Sequence, residues 1–319
     1  MFTFPPPERQ IYVHEILVKA RHSVLHDTVR AAAKTIPPAA LSTEMMTYAP
    51  HPGLQLLQGS NIRDELVFAV PSVLTAAPAA LGYYRLLLGV SQKLFYKTAT
   101  GLNVFKSMEE RGIVGPRAAP LIADLCRELN IEISALITGL SPGLTAADVE
   151  QLPLMMLGAQ ADGSWRTQIG EKATKGVYEV LKSVIKSHGV QYGDIGPSLS
   201  LQNKAGRTVT LALAADPDVV ITETVNDQEF LKVAIEIKGG TDVSNVHNRA
   251  GEAEKSHQKA KGRGATDFWT IISKTTSQLD VLKKESPTTN QWFDVEQVLQ
   301  RSGADWQRLI NHVLVAMGI

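Results

Sequence analysis

Asp218, directly after Pro217, and the run Glu236-Ile237-Lys238 are the residues of this chain whose types and spacing suit chemistry. On an extended strand, alternation puts Glu236 and Lys238 on one face and sends Ile235 and Ile237 to the other, where they can enter a core. Asp218 heads a second β-branched run, Val219-Val220-Ile221-Thr222, and the polar stretch from Thr222 to Glu229 supplies the turn between them. If the two strands pair antiparallel, Asp218 and Glu236 converge where the strands separate. The two carboxylates and the backbone carbonyl of Ile237 are hard oxygen ligands suited to Mg²⁺, which takes few protein ligands and keeps several waters. Such a metal polarises a phosphate and lowers the pKa of a bound water. Lys238 then orients or deprotonates that water and offsets charge on a pentacovalent phosphate. The chemistry indicated is phosphodiester hydrolysis. Taken singly, each piece has an ordinary reading: Glu-x-Lys is a common ion pair on a solvent-facing strand, and Pro-Asp is a common turn dipeptide. Their combination carries the signal, together with Gly239-Gly240, which lets backbone approach a ligand closely.

The elements that must position these residues lie mainly in the second half. From Trp165 to His188, Ile169, Ala173, Val177, Val180, Leu181 and Val184 share one face of a long amphipathic helix. Strands are expected at 208–213, 218–222 and 231–238, then a helix from about Asn248 to Lys261, strands at 268–272 and 292–295, and a final helix from Asp305 to Met317. That order gives an α/β (α+β) fold, a mixed sheet flanked by helices. The first half is mostly helical: one helical pattern runs from Ile11 to about Lys34, several pieces lie between 61 and 111, and another covers Pro120 to Ser134. Thr145 is placed to cap a helix, with Asp148 near its third position. Two domains are expected, 1–157 as a mostly helical scaffold and 158–319 as the core that carries Asp218, Glu236 and Lys238.

The chain of 319 residues is 44% hydrophobic and 20% charged, a soluble globular profile. Lys plus Arg (32) equals Asp plus Glu (32), so any nucleic-acid surface must be local. Cys126 is the single cysteine, which excludes an intrachain disulfide and reads as a buried thiol. The start, with three consecutive prolines, is not a secretory signal. Pro71, Pro78, Gly82 and Arg85 interrupt the longest apolar region and argue against a membrane span. A cytoplasmic location is expected.

Pro-Asp, a short hairpin and Glu-x-Lys resemble the signature of the PD-(D/E)xK nuclease superfamily. Glu236-Ile237-Lys238-Gly239-Gly240-Thr241-Asp242, running into a charged helix, is similar to many type II restriction endonucleases, and Tyr83-Tyr84-Arg85 through Phe95-Tyr96 resembles a phrase of their N-terminal helical regions. The chain as a whole is most similar to the XcyI/XmaI-type group, whose members cut within CCCGGG. The resemblance implies a restriction-endonuclease-like core, Asp218 and Glu236 as metal ligands, Lys238 as the catalytic lysine, Mg²⁺ as cofactor, double-stranded DNA as substrate and a homodimer reading a palindrome. Asp216 competes with Asp218 as the first acid. Glu171, at the start of the long helix, is the candidate for an additional acidic residue, or else an exposed Glu favoured there by the helix dipole. His247, Asn248, Arg249, Lys255, His257 and Lys259, with Arg85 and Lys93 (and Gln92 beside them), are candidate DNA contacts; the alternative for the helix after the Glu-x-Lys strand is an ordinary solvated surface. Tyr83, Tyr84, Phe95 and Tyr96 are expected in the core. No Gly-x-x-x-x-Gly-Lys-Ser/Thr motif accompanies the site. Two other readings stay open, a repair or recombination nuclease of the same superfamily and a non-catalytic DNA-binding protein on a relict nuclease fold.

Overall fold

The computed structural model describes residues 7–58, 60–239, 246–273 and 279–319. The chain divides into two compact units, Met1–Trp165 and Arg166–Ile319, with the division inside one continuous helix, Ala146–Ser187. That helix begins far upstream of the expected Trp165. Gly158 and Gly163 lie inside it, since an isolated glycine costs a helix only about 1 kcal/mol. Its start carries the anticipated reciprocal cap: Thr145 N–H donates to Asp148 at 2.8 Å, and Asp148 N–H donates to the Thr145 hydroxyl at 3.2 Å.

The first unit is helical among its described residues. Its core gathers Val29, Phe68, Leu74, Tyr83, Tyr84 and Ile133 around the buried Cys126. The single helical pattern expected from Ile11 to Lys34 is two helices, Glu8–Arg21 and His26–Lys34, parted where Leu25 adopts an extended conformation.

In the second unit a mixed seven-stranded sheet runs in sequence order: β1 Tyr192–Ile195, β2 Ser198–Gln202, β3 Thr208–Leu213, β4 Val219–Val225, β5 Gln228–Lys238, β6 Asp267–Ile272 and β7 Gln291–Asp294. Pairing is antiparallel from β1 through β5 and parallel from β5 to β7. The hairpin joining β4 to β5 is tighter than the expected Thr222–Glu229 turn. Both strands continue to Asn226-Asp227, whose φ angles of 50° and 60° suit a two-residue turn of the type that matches strand twist. The β1–β2 hairpin was not anticipated, being short and interrupted by Gly196-Pro197.

Alternation sorts the sheet into two faces. Val219, Ile221, Val233, Ile235 and Ile237 pack with Val177, Leu181 and Ile185 of the long helix and with Leu309, Val313 and Met317 of the C-terminal helix Ala304–Met317. Ala234, on the opposite face, packs with Phe268 and with Ala260 of the helix Val246–Gly262. Helices therefore cover both faces of the sheet. Two short helices, Leu279–Glu285 and Val295–Gln300, were not anticipated; Asp294, in a strand as expected, ends β7 and also caps the second helix by accepting from Glu296 N–H and Gln297 N–H.

Candidate active site

The hairpin sets the geometry. Val219 pairs with Ile235 and Val220 with Ala234, so one step outward along the same register puts Asp218 level with Glu236. Asp218 Oδ2 accepts the Ile237 N–H at 2.8 Å, which ties the acid heading β4 directly onto β5. Because Ile235 and Ile237 point into the core, Glu236 and Lys238 must point to the other face, toward the helix Val246–Gly262. There Lys238 Nζ lies 2.8 Å from Glu236 Oε1 and 3.4 Å from Glu252 Oε2. The Ser256 hydroxyl stands beside both Glu236 and Asp216, with one proton to donate between them. Asp216 also accepts from Lys259 Nζ at 2.6 Å, and its carbonyl accepts from Arg263 at 2.9 Å. Of the two competing aspartates, Asp216 is anchored to the helix and Asp218 lies along β5.

The electrostatics follow from this arrangement. Burial pushes the Asp218 carboxyl above the usual carboxylate range, with Ile237 N–H and Lys238 pulling the other way. Burial also raises Glu236, and the neighbouring charge of Asp218 raises it further, against the pull of Lys238 and Ser256. Burial works against the charge of Lys238, but Glu236, Glu252 and Asp218 more than offset it and hold its pKa above the ordinary lysine value. A simple ion pair would lower the acid as it raises the base. Here both rise, because two buried carboxylates share a single close ammonium. The pair is short of positive charge, and its donors are hard oxygens, so these residues fit a divalent cation such as Mg²⁺. Among the described residues no group of three or more His, Cys, Asp or Glu is arranged to hold an ion. Two carboxylates with a neighbouring backbone carbonyl would be a sparse donor set of the kind Mg²⁺ completes with water.

Other expected residues fall elsewhere. Glu171 is exposed and lies mid-helix rather than at a helix start, so the dipole argument for it fails; Ile169 and Ala173, not Glu171, face Gly239. Arg85 is corrected outright as a phosphate contact. Its side chain is 1% exposed, and the guanidinium is saturated by Glu109, Gln160 and the Val90 carbonyl. Gln92 likewise donates to Glu109, at 2.7 Å, while Lys93 is exposed. His257 is corrected as a DNA contact too: it is fully buried, 2.9 Å from the Thr270 hydroxyl, with burial pulling its pKa down to about 4. His247 is exposed, 3.9 Å from Glu285; Asn248 is exposed and Arg249 half-buried on the same helix, as are the exposed Lys255 and Lys259, the last already bound to Asp216. Gly239 approaches the helix at Ala173 and Ile169 rather than standing open for a ligand, and Gly240 to Asn245 lie outside the described residues. Tyr83, Tyr84, Phe95 and Tyr96 are buried as expected. Ser256 and Glu252 carry no motif; their only trace in the sequence is a four-residue spacing in the helix after Glu-x-Lys.

A mixed sheet flanked by helices, with Pro-Asp heading one strand and Glu-x-Lys ending its hairpin partner, defines a restriction-endonuclease-like fold. Comparison with known proteins agrees. A family model described as XcyI restriction endonuclease matches residues 14–319. The chain is 36% identical over 316 residues to the type II restriction enzyme Cfr9I of Citrobacter freundii, covering 98% of this chain and 95% of that one. It is 37% identical over 317 residues to the type II restriction enzyme XcyI of Xanthomonas campestris pv. cyanopsidis, covering 98% and 94%. The chain belongs to the XcyI restriction endonuclease family.

Proposed function

We propose that Asp218, Glu236 and Lys238 form the Mg²⁺-dependent catalytic site with which this chain hydrolyses DNA. The chain is a type II restriction endonuclease, a site-specific deoxyribonuclease, as its family and its two relatives of nearly equal length indicate. The observation that carries the site assignment is the Ile237 N–H to Asp218 bond, because it fixes the two acids side by side at the end of one hairpin. Asp218 and Glu236, with the Ile237 carbonyl, would hold the metal. When bound, Mg²⁺ supplies Lewis-acid polarisation of the scissile phosphate and acidifies a coordinated water. Lys238, ion-paired with Glu236 and Glu252, is placed to orient or deprotonate that water and to offset negative charge growing on the phosphate.

The finer reading follows from the resemblance and from the symmetry of the substrate. The recognition sequence is CCCGGG, and two copies read its two halves, because a palindrome is matched by a two-fold protein. Lys93 in the helical part (1–157), with His247, Asn248, Arg249, Lys255 and Lys259 of the second unit, supplies DNA contacts. The substrate places the protein in the cytoplasm; among the described residues no helix is long and apolar enough to cross a membrane.

The test is cleavage of several double-stranded DNAs with Mg²⁺ and with EDTA. Discrete, metal-dependent fragments support the reading, and sequencing their ends gives the site; intact DNA across many sequences refutes it. Asp218→Ala, Glu236→Ala and Lys238→Ala should each cut at least about a hundredfold more slowly, the scale of losing one preorganised electrostatic group, while still binding DNA in a gel-shift assay. Full activity in any of them removes that residue from the site.

A further inference from the structure

The helix Val246–Gly262 presents one face to the carboxylate pair. Residues 252, 256 and 259 follow the i, i+4, i+7 spacing of a single helical stripe, and their contacts point the same way: Glu252 to Lys238, Ser256 to Glu236 and Asp216, Lys259 to Asp216. The helix is itself pinned from another side. Glu254 accepts from the Ser286 hydroxyl at 2.9 Å and from the Thr288 N–H and hydroxyl at 3.0 and 2.7 Å.

We propose that Glu252 is a positioning residue, whose carboxylate keeps the Lys238 ammonium beside Asp218 and Glu236 once Glu236 is engaged by the cation. The inference rests on the site reading above. Among the described residues Lys238 forms ion pairs with two carboxylates, and the nearer one, Glu236, belongs to the proposed donor pair. A divalent cation on that pair neutralises the charge that holds the ammonium and repels the ammonium itself. A lysine on a flexible four-carbon stem would then swing away. Glu252 comes from a different element and stands outside the pair that would hold the cation, so its attraction survives. Its side chain is 62% exposed, which limits the pair to the modest strength of a solvated ion pair.

The experiment uses the full chain and compares Glu252→Gln and Glu252→Asp with Lys238→Ala. Three quantities are read: the single-turnover cleavage rate with Mg²⁺ on DNA carrying the site, DNA affinity in EDTA, and acylation of the Lys238 amine in DNA-free protein with and without Mg²⁺, quantified by mass spectrometry. Glu252→Gln is expected to slow cleavage about fivefold, the upper range for an exposed ion pair, with DNA affinity unchanged. Mg²⁺ should make Lys238 label severalfold faster in Glu252→Gln than in the parent, and Glu252→Asp should recover part of both effects. Parental cleavage and parental labelling in Glu252→Gln, beside an inactive Lys238→Ala, overturn this inference alone. A loss confined to DNA affinity also overturns it, by making Glu252 an interface residue. Full activity in Lys238→Ala overturns the underlying site.

Discussion

Gly239 follows β5 directly, and a Cβ built on it would stand 2.0 Å from the Cβ of Ala173. Carbon atoms pack at about 3.5–4.0 Å, so Gly239→Ala forces the end of β5 and the long helix apart by about 1.5–2 Å, or distorts one of them. Overpacking of this kind costs about 1–3 kcal/mol. The strained strand end carries Glu236 and Lys238, so cleavage should fall as well. Ala173→Gly removes the obstructing methyl and leaves the new Cβ facing Ala173 Cα at 3.5 Å and the Ile169 carbonyl at 3.6 Å, ordinary contacts. By itself Ala173→Gly costs about 1 kcal/mol, the price of glycine inside a helix. The double variant should therefore match Ala173→Gly rather than the sum, a coupling of about 1–3 kcal/mol between residues in contact. Urea melts of the four proteins, followed by cleavage rates, measure this. A Gly239→Ala protein as stable as the parent, or a double variant less stable than either single one, would refute the packing argument.

Two further outcomes concern groups sealed inside the units. Arg85→Ala should destabilise by about 3–5 kcal/mol, because it strands Glu109 as a buried carboxylate held only by Tyr96 and Gln92; replacing Arg85 and Glu109 together by leucine should restore most of the loss in a thermal melt. His257 titrates at about 4 when folded against 6.5 for a free histidine, so the unfolded chain takes up the proton first. Its contribution is intact above about pH 6.5 and is lost as pH falls toward 4, a difference of about 3 kcal/mol. His257→Gln should flatten the stability profile in that window, and an unchanged slope would contradict the buried neutral imidazole.

What was legible in the sequence was what depends on near neighbours. The face of Glu236 and Lys238 follows from the pleat, and the Thr145–Asp148 cap from four residues. The Glu-x-Lys strand declared itself because Ile235 and Ile237 alternate with charge. Arg85 and His257 were misread for the opposite reason. As residue types they suit a phosphate or a base edge, but their surroundings come from elsewhere: Glu109, 24 residues on, for Arg85, and Phe268 and Thr270 of a separate strand for His257. Leu199 and Leu201 do alternate with serines in β2, a signal too short to outweigh the Gly196-Pro197 beside it. Gly239 was expected to admit a ligand, whereas what approaches it is a helix more than sixty residues earlier in the chain.

The Asn226-Asp227 turn gives Asp218 and Glu236 a short route to each other along the chain. Asp218 and Glu236 face each other across one hairpin, so they meet by closing a short loop, before any contact between distant segments is required. Loop closure becomes only slowly more costly with length but favours such local pairs first. Lys238 arrives on the same strand, whereas its second carboxylate neighbour must wait for the helix Val246–Gly262 to dock. The two acids need only the hairpin in order to meet, whereas the full charge balance around the lysine also needs the docked helix.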